Sequence, residues 1–279
     1  MKRITLKSKT GIGTTEPVTL PMPQLYNYTE INLSFKTVKT SDSSIKYFDN
    51  GSSYDFITTS SKYLLNRTEM INFKGFFEDQ QMSRSDNFQF ILEENCGFYP
   101  FGPDLGDSGI FGVQFIDSKW TTRLNKPWDM YELDLNLHLY SIPYYEVPQV
   151  SYKQGSFKLD NLVNLPNPEI LLTYENHYIK DTTLGGKLTS IDLGLSNWMY
   201  SSKFTFNVSV QNAKLLLNKL KMLRTNSFII QTPNKCYPFG AELGFGSFVV
   251  SLLSNNIIVT NNGHNNYKIE FQVVLQNVL

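Results

Sequence analysis

Apolar and polar positions alternate with a period of two through much of the chain. Leu133, Leu135, Leu137 and Leu139 alternate with Asp134, Asn136 and His138. Ile269, Phe271, Val273 and Leu275 alternate with Glu270, Gln272 and Val274, and Phe204, Phe206, Val208 and Val210 alternate with Thr205, Asn207 and Ser209. Residues 30–38 read likewise, with Ile31, Leu33 and Phe35 on one face. Successive side chains of a strand point to opposite faces, so these segments predict antiparallel sheets with one buried and one wet face. Clusters of turn residues punctuate them, as at Asp49-Asn50-Gly51-Ser52, and 261–265 predicts a hairpin tip. Residues 212–224 follow the helical period instead. Ala213, Leu216, Leu217, Leu220 and Leu223 form one stripe, opposite Lys214, Asn218 and Lys221. Asn212 is the expected N-cap, and Arg224 would sit at the negative end of the helix dipole. Residues 78–85 predict a shorter helix or a loop.

The pattern also repeats at long range. Tyr99-Pro100-Phe101-Gly102-Pro103-Asp104-Leu105-Gly106 returns as Tyr237-Pro238-Phe239-Gly240-Ala241-Glu242-Leu243-Gly244. Downstream, Gly109, Phe111, Val113 and Phe115 match Gly246, Phe248, Val250 and Leu252, and Tyr131 to Leu137 match Tyr267 to Val273. Upstream, Phe90-Ile91-Leu92 matches Phe228-Ile229-Ile230. A good turn can recur by convergence, because Pro fixes φ and Gly supplies unusual backbone. Matched strands on both sides, in the same order, point instead to duplication of a domain-sized unit. The expected division is an extended arm at residues 1–22, a first β-barrel at 23–145 and a second at 146–279. Residues 141–148 would link the barrels. The fold class is therefore mainly β: two tandem antiparallel β-barrel or sandwich domains, each with an inserted helix, longer in the second.

Composition changes this picture in two ways. The chain carries 25 basic and 25 acidic residues, a net charge of zero, which argues against a protein built to wrap nucleic acid. Charged residues make up only 18% of its 279 positions while aromatics reach 14%, which has two readings: part of the neutral surface is covered by partner subunits, or an AT-rich genome inflates Asn, Lys, Tyr, Phe and Ile. By halves, residues 1–145 hold 17 acidic and 14 basic side chains and residues 146–279 hold 8 and 11, giving −3 and +3. The basic start of the chain is followed by no apolar run, and no stretch approaches the roughly 20 apolar residues of a spanning helix, so neither export signal nor membrane segment is expected. Cys96 and Cys236 do not make a disulfide framework.

Candidate chemistry is sparse. The histidines are His138, His177 and His264, and nothing in the sequence sets an acid and a nucleophile beside them. No metal-binding spacing and no phosphate-cradling glycine loop occurs. Asp104 and Asp107 could hold a cation, but the second copy keeps only Glu242, so solvated loop carboxylates are expected. Catalytic, cofactor and metal residues are accordingly expected to be none. Trp120 and Trp128, with Tyr144 and Tyr145, could stack on sugars or bases; packing in a core or an interface is the more ordinary use of such residues. The interface candidates are Tyr99, Phe101, Trp120, Trp128, Tyr237 and Phe239.

Tandem β-barrels with a helix before their last strands resemble the tail-tube and baseplate-hub proteins of tailed phages and related injection systems. The segments that carry the resemblance are 204–210, 212–224, 228–230, 248–252 and 269–275. It implies a structural subunit of the virion tail, made in the host cytoplasm and forming a trimeric or hexameric ring. Such a ring joins a six-fold tube to distal parts. Its partners would be copies of itself and neighbouring tail or baseplate proteins, with DNA only passing through the lumen and no membrane. The alternative is a tandem β-sandwich module that binds carbohydrate. A polysaccharide hydrolase and a jelly-roll capsid or adhesin subunit are more distant readings.

Overall fold

In the N-terminal half, alternation becomes strand wherever an apolar face finds a partner. A computed structural model describes residues 3–8, 16–24, 27–39, 45–51, 55–82, 87–94, 96–117, 122–125, 130–141, 157–159, 163–175, 178–182, 188–192, 199–263 and 265–279. The strands of this half are β1 (Arg3–Ser8), β2 (Val18–Pro21), β3 (Asn27–Asn32), β4 (Phe35–Lys39), β5 (Ile45–Asp49), β6 (Phe56–Leu65), β7 (Phe88–Leu92), β8 (Gly109–Phe115), β9 (Thr122–Asn125) and β10 (Met130–Ser141). Helix α1 (Arg67–Met82) lies between β6 and β7. All pairings are antiparallel. They join β1 to β2 and β7, β7 to β8, β10 to β8, β6 and β9, and β3 to β6, with β4–β5 a separate hairpin.

The C-terminal half holds β11 (Phe157–Leu159), β12 (Val163–Leu165), β13 (Glu169–Glu175), β14 (Tyr178–Thr182), β15 (Leu188–Asp192), β16 (Met199–Ser209), β17 (Phe228–Gln231), β18 (Ser247–Leu252), β19 (Asn256–Asn261) and β20 (Asn266–Val278). Helix α2 (Val210–Leu223) follows β16 directly. Here β11 pairs with β12 and β17, β17 with β18, β20 with β18, β16 and β19, and β13 with β16, with β14–β15 a hairpin. Position for position, this is the pairing scheme of the first half. One further pairing, β3 with β19, fuses the two sets into a single sheet system.

Several expectations change. The described residues of the expected arm are not extended free of the fold: β1 lies between β2 and β7, and Ile4, Leu6 and Leu20 are fully buried. Their alternation is short and interrupted by Thr and Pro, so it reads as polar until β7 supplies the apolar partner. Residues 30–38 are two strands, broken at Leu33 and Ser34, where the Ser34 N–H donates to Asp55 Oδ1 at 2.8 Å. The first helix, with 16 residues, is the longer of the two, against 14 for α2. Its start is a reciprocal cap: the Glu69 N–H donates to Asn66 Oδ1 and the Asn66 N–H to Glu69 Oε2, both at 2.9 Å. Met70, Phe73, Phe76 and Phe77 then face the core. α2 begins at Val210, with Ser209 as N-cap in place of the expected Asn212, whose N–H donates to the Ser209 hydroxyl. The expected linker begins at Ser141, which is the last residue of β10; residues 142–148 and the expected domain boundary lie outside the described residues. No described helix is long and apolar enough to cross a membrane.

The repeated Tyr-Pro-Phe-Gly turn has one backbone form in both halves. The glycine N–H donates to the tyrosine carbonyl at 3.4 Å, Gly102 to Tyr99 and Gly240 to Tyr237. Gly102 and Gly240 both have φ +105, a region that L side chains avoid. A Cβ on Gly102 would lie 2.9 Å from Asp104 Oδ1, and one on Gly240 would lie 2.6 Å from Tyr174 Oη. The Gly102→Ala and Gly240→Ala variants are each expected to lose about 1–3 kcal/mol of stability, from strained backbone plus the clash. Urea unfolding measures this; midpoints equal to the wild-type value would show that the turn relaxes freely.

Candidate functional site at the junction of the two halves

The β3–β19 pairing sets Ile257 opposite Ile31 and Val259 opposite Thr29, and all four are buried. On the other face Thr260 lies opposite Tyr28 and Ile258 opposite Glu30. Side chains extend the strand-to-strand seam. Asn256 Nδ2 donates to Glu30 Oε1 at 2.9 Å, the Leu33 N–H donates to the Asn255 carbonyl at 2.8 Å, and Asn255 Nδ2 donates to the Leu33 carbonyl at 3.1 Å.

The aromatic turn of the first half is the second element of the junction. Asn27 Nδ2 donates to the Tyr99 carbonyl at 3.1 Å and Thr29 Oγ1 to the Pro100 carbonyl at 3.0 Å, which fastens the turn to β3. Phe101 then points inward, its ring 5.4 Å from Phe111 and 6.2 Å from Phe90. Tyr99 points outward to the other half. Its ring meets Tyr267 edge-on at 6.0 Å, and Lys214 of α2 places its ammonium 5.0 Å from the ring centre. Burial, with charges nearby, pushes the Tyr267 hydroxyl far above its ordinary value, so it stays a neutral phenol.

Charge completes the seam. Asp104 of the turn is 2% exposed and forms an ion pair with Lys221 on α2. At the end of α2, Arg224 bridges Asp55 and Asp49, the latter at 3.2 Å. The expectation of solvated loop carboxylates therefore fails for Asp104, because α2 of the other half covers it. The helical pattern alone makes Arg224 a dipole partner only; its acidic partners stand about 170 residues away in the chain. Beside these pairs opens a cleft of about 740 Å³ lined by Asp55, Ile57, Asp104, Leu139, Asn218 and Lys221. Among the described residues no three metal-ligating side chains come together.

The other candidates fall as follows. Phe239 is buried against Phe248 at 5.3 Å, as Phe101 is in its own half. Tyr237, the counterpart of Tyr99, is 40% exposed and lies 6.1 Å from Phe245, itself on the surface. Trp120 and Trp128 lie outside the described residues, as do Tyr144, Tyr145, His177 and His264. His138 stacks on Phe56 at 4.1 Å, with Nδ1 3.3 Å from Gln114 Oε1, and burial lowers its pKa. Cys96 and Cys236 are not joined in a disulfide, and Cys96 Sγ donates to the Phe98 carbonyl at 3.5 Å. No family's sequence profile matches the chain, and no curated protein matches it in sequence.

The Asp104–Lys221 pair is shielded enough for its loss to be visible. Lys221→Met leaves a buried carboxylate without its cation and is expected to cost about 3–5 kcal/mol, whereas adding Asp104→Leu to it restores most of that loss. Chemical denaturation of the two variants measures both; a single-variant loss below about 1 kcal/mol would mean the pair is screened like a surface pair.

Proposed function

We propose that the chain is a structural subunit made of two duplicated β-barrel halves, which assembles into a ring like those of the tail-tube and baseplate-hub proteins of tailed phages. The observation that carries this reading is the recurrence of the whole pairing scheme in both halves, together with the β3–β19 pairing that runs one half's sheet into the other's. A barrel, in which an edge is abolished by closure, is supported in the first half by the return of the chain after β2 to β6, where the Gln24 N–H donates to the Lys62 carbonyl at 2.8 Å.

Two halves joined edge to edge present the same kind of surface twice. Three such chains would offer six related barrels, which matches a six-fold tube on one side and three-fold parts on the other. The function is then geometric: strand pairing between subunits, a sealed lumen through which DNA passes, and ring faces that meet neighbouring tail or baseplate proteins within the virion. The −3 and +3 halves favour a head-to-tail order.

Negative-stain microscopy with mass photometry is the direct test. Closed rings of three or six chains, each of 32.1 kDa, with a central hole are the expected result. A stable monomer retained on immobilised glycans would overturn the reading in favour of a carbohydrate-binding module.

A further inference from the structure

The internal junction uses two sheet edges, and each has a counterpart that pairs with nothing further among the described residues. β19 pairs with β20 on one side and β3 on the other, while its counterpart β9 pairs with β10 alone. β3 pairs with β6 and β19, while its counterpart β13 pairs with β16 alone. We infer that the β9 edge of one molecule pairs antiparallel with the β13 edge of a second copy of this chain, repeating the β3–β19 junction between molecules. This deepens the ring reading by naming its contact.

The shared pairings fix the register. Thr122 lies opposite Leu133 as Val259 lies opposite Ile269, and Leu172 lies opposite Ser202 as Thr29 lies opposite Thr59. Since Val259 pairs with Thr29 and Thr260 with Tyr28, Thr122 pairs with Leu172 and Arg123 with Leu171. Continuing the register places Leu124, which is 44% exposed, opposite Ile170 on the core face. On the other face Arg123 falls diagonal to Glu169, a favourable cross-strand charge contact.

The surroundings agree independently. Inside the chain Tyr99 is covered by Tyr267 and by Lys214, the fifth residue after the N-cap of α2. The counterpart of Tyr99 is the exposed Tyr237. The counterparts of Tyr267 and Lys214 are Tyr131, at the start of β10, and Ile71, the fifth residue after the Asn66 cap of α1. Ile71 is 60% exposed and Leu171 is 66% exposed. One flank of the molecule thus carries β9, Ile71 and Tyr131, and the other carries β13 and Tyr237. They are the two sides of one junction. Open strand edges are aggregation hazards unless something pairs them, and a second copy supplies that something. A head-to-tail contact of unlike surfaces closes into a ring or continues as a filament, in contrast to a self-complementary dimer.

A mixing experiment tests this. One variant carries Ile71→Asp and Leu124→Asp, which spoil the β9 flank. The other carries Leu171→Lys, which faces Arg123, and Tyr237→Asp, which spoil the β13 flank. All four positions are exposed in the chain, and circular dichroism checks that each variant folds. Mass photometry is expected to find assemblies for the wild type and monomers for each variant alone. Mixing the two variants is expected to give a heterodimer of twice 32.1 kDa and nothing larger, since one good flank of each remains. Ile71→Lys alone, which copies the Lys214–Tyr99 contact, is expected to keep assembly. A monomeric wild type, assembly unaffected in the variants, or a variant that self-dimerises would overturn the inference. Rings that persist in both variants would overturn it while leaving the ring function standing. Filaments or open oligomers that obey the mixing pattern would support the edge pairing and sink the ring.

Discussion

A β-strand has two hydrogen-bonding edges, and a protein made of strands must settle what meets each one. Here β3 and β19 meet each other, although more than 220 residues separate their ends in the chain. Everything else at the junction depends on that pairing. It brings the turn at Tyr99 under Tyr267 and Lys214, and it brings the acidic residues 49, 55 and 104 within reach of the basic end of α2. The buried side chains Ile31, Thr29, Ile257 and Val259 make the seam part of the core instead of a surface contact. Largely buried at the edge of the cleft, the Asp104–Lys221 and Arg224–Asp55 pairs tie α2 to the first half, and each is costly to leave half made.

The repeated turn couples the two levels of the structure. Its phenylalanine anchors in its own half, Phe101 near Phe111 and Phe239 near Phe248. Its tyrosine is presented sideways. In the first half that tyrosine is consumed by the internal junction; in the second it remains on the surface. One local motif therefore serves as core anchor and as contact residue, and the difference in exposure between Tyr99 and Tyr237 follows from where each half stands in the chain.

Much of the strand content was legible in the sequence. The leucines of β10 and the aromatics of β16 and β20 alternate cleanly because one face of each is buried and the other is wet. Helix α2 was legible from its leucine stripe, but α1 was not: its apolar face is mostly aromatic and its surface is crowded with polar residues, and the Asn66–Glu69 cap is a short polar signal far from residues 78–85. β1 and β2 were missed because a short strand with one buried face carries too few residues to show a period. At the site, the turn was visible and its inward phenylalanines were not distinguishable from its outward tyrosines by sequence alone. Asp49, Asp55, Lys214 and Lys221 left no signal, since a charge on a loop or on a helix's polar face reads as solvated until another part of the chain covers it.

Hydrogen exchange resolved along the chain probes the central claim, that the junction within the chain is also the contact between chains. In the assembled protein, the amides of 122–125 and 169–173 should be protected to the same degree as those of 27–32 and 256–261, and dilution to the monomer should release the first pair only. Fast exchange at both outer edges in the assembled protein, with the inner pair protected, would contradict the account.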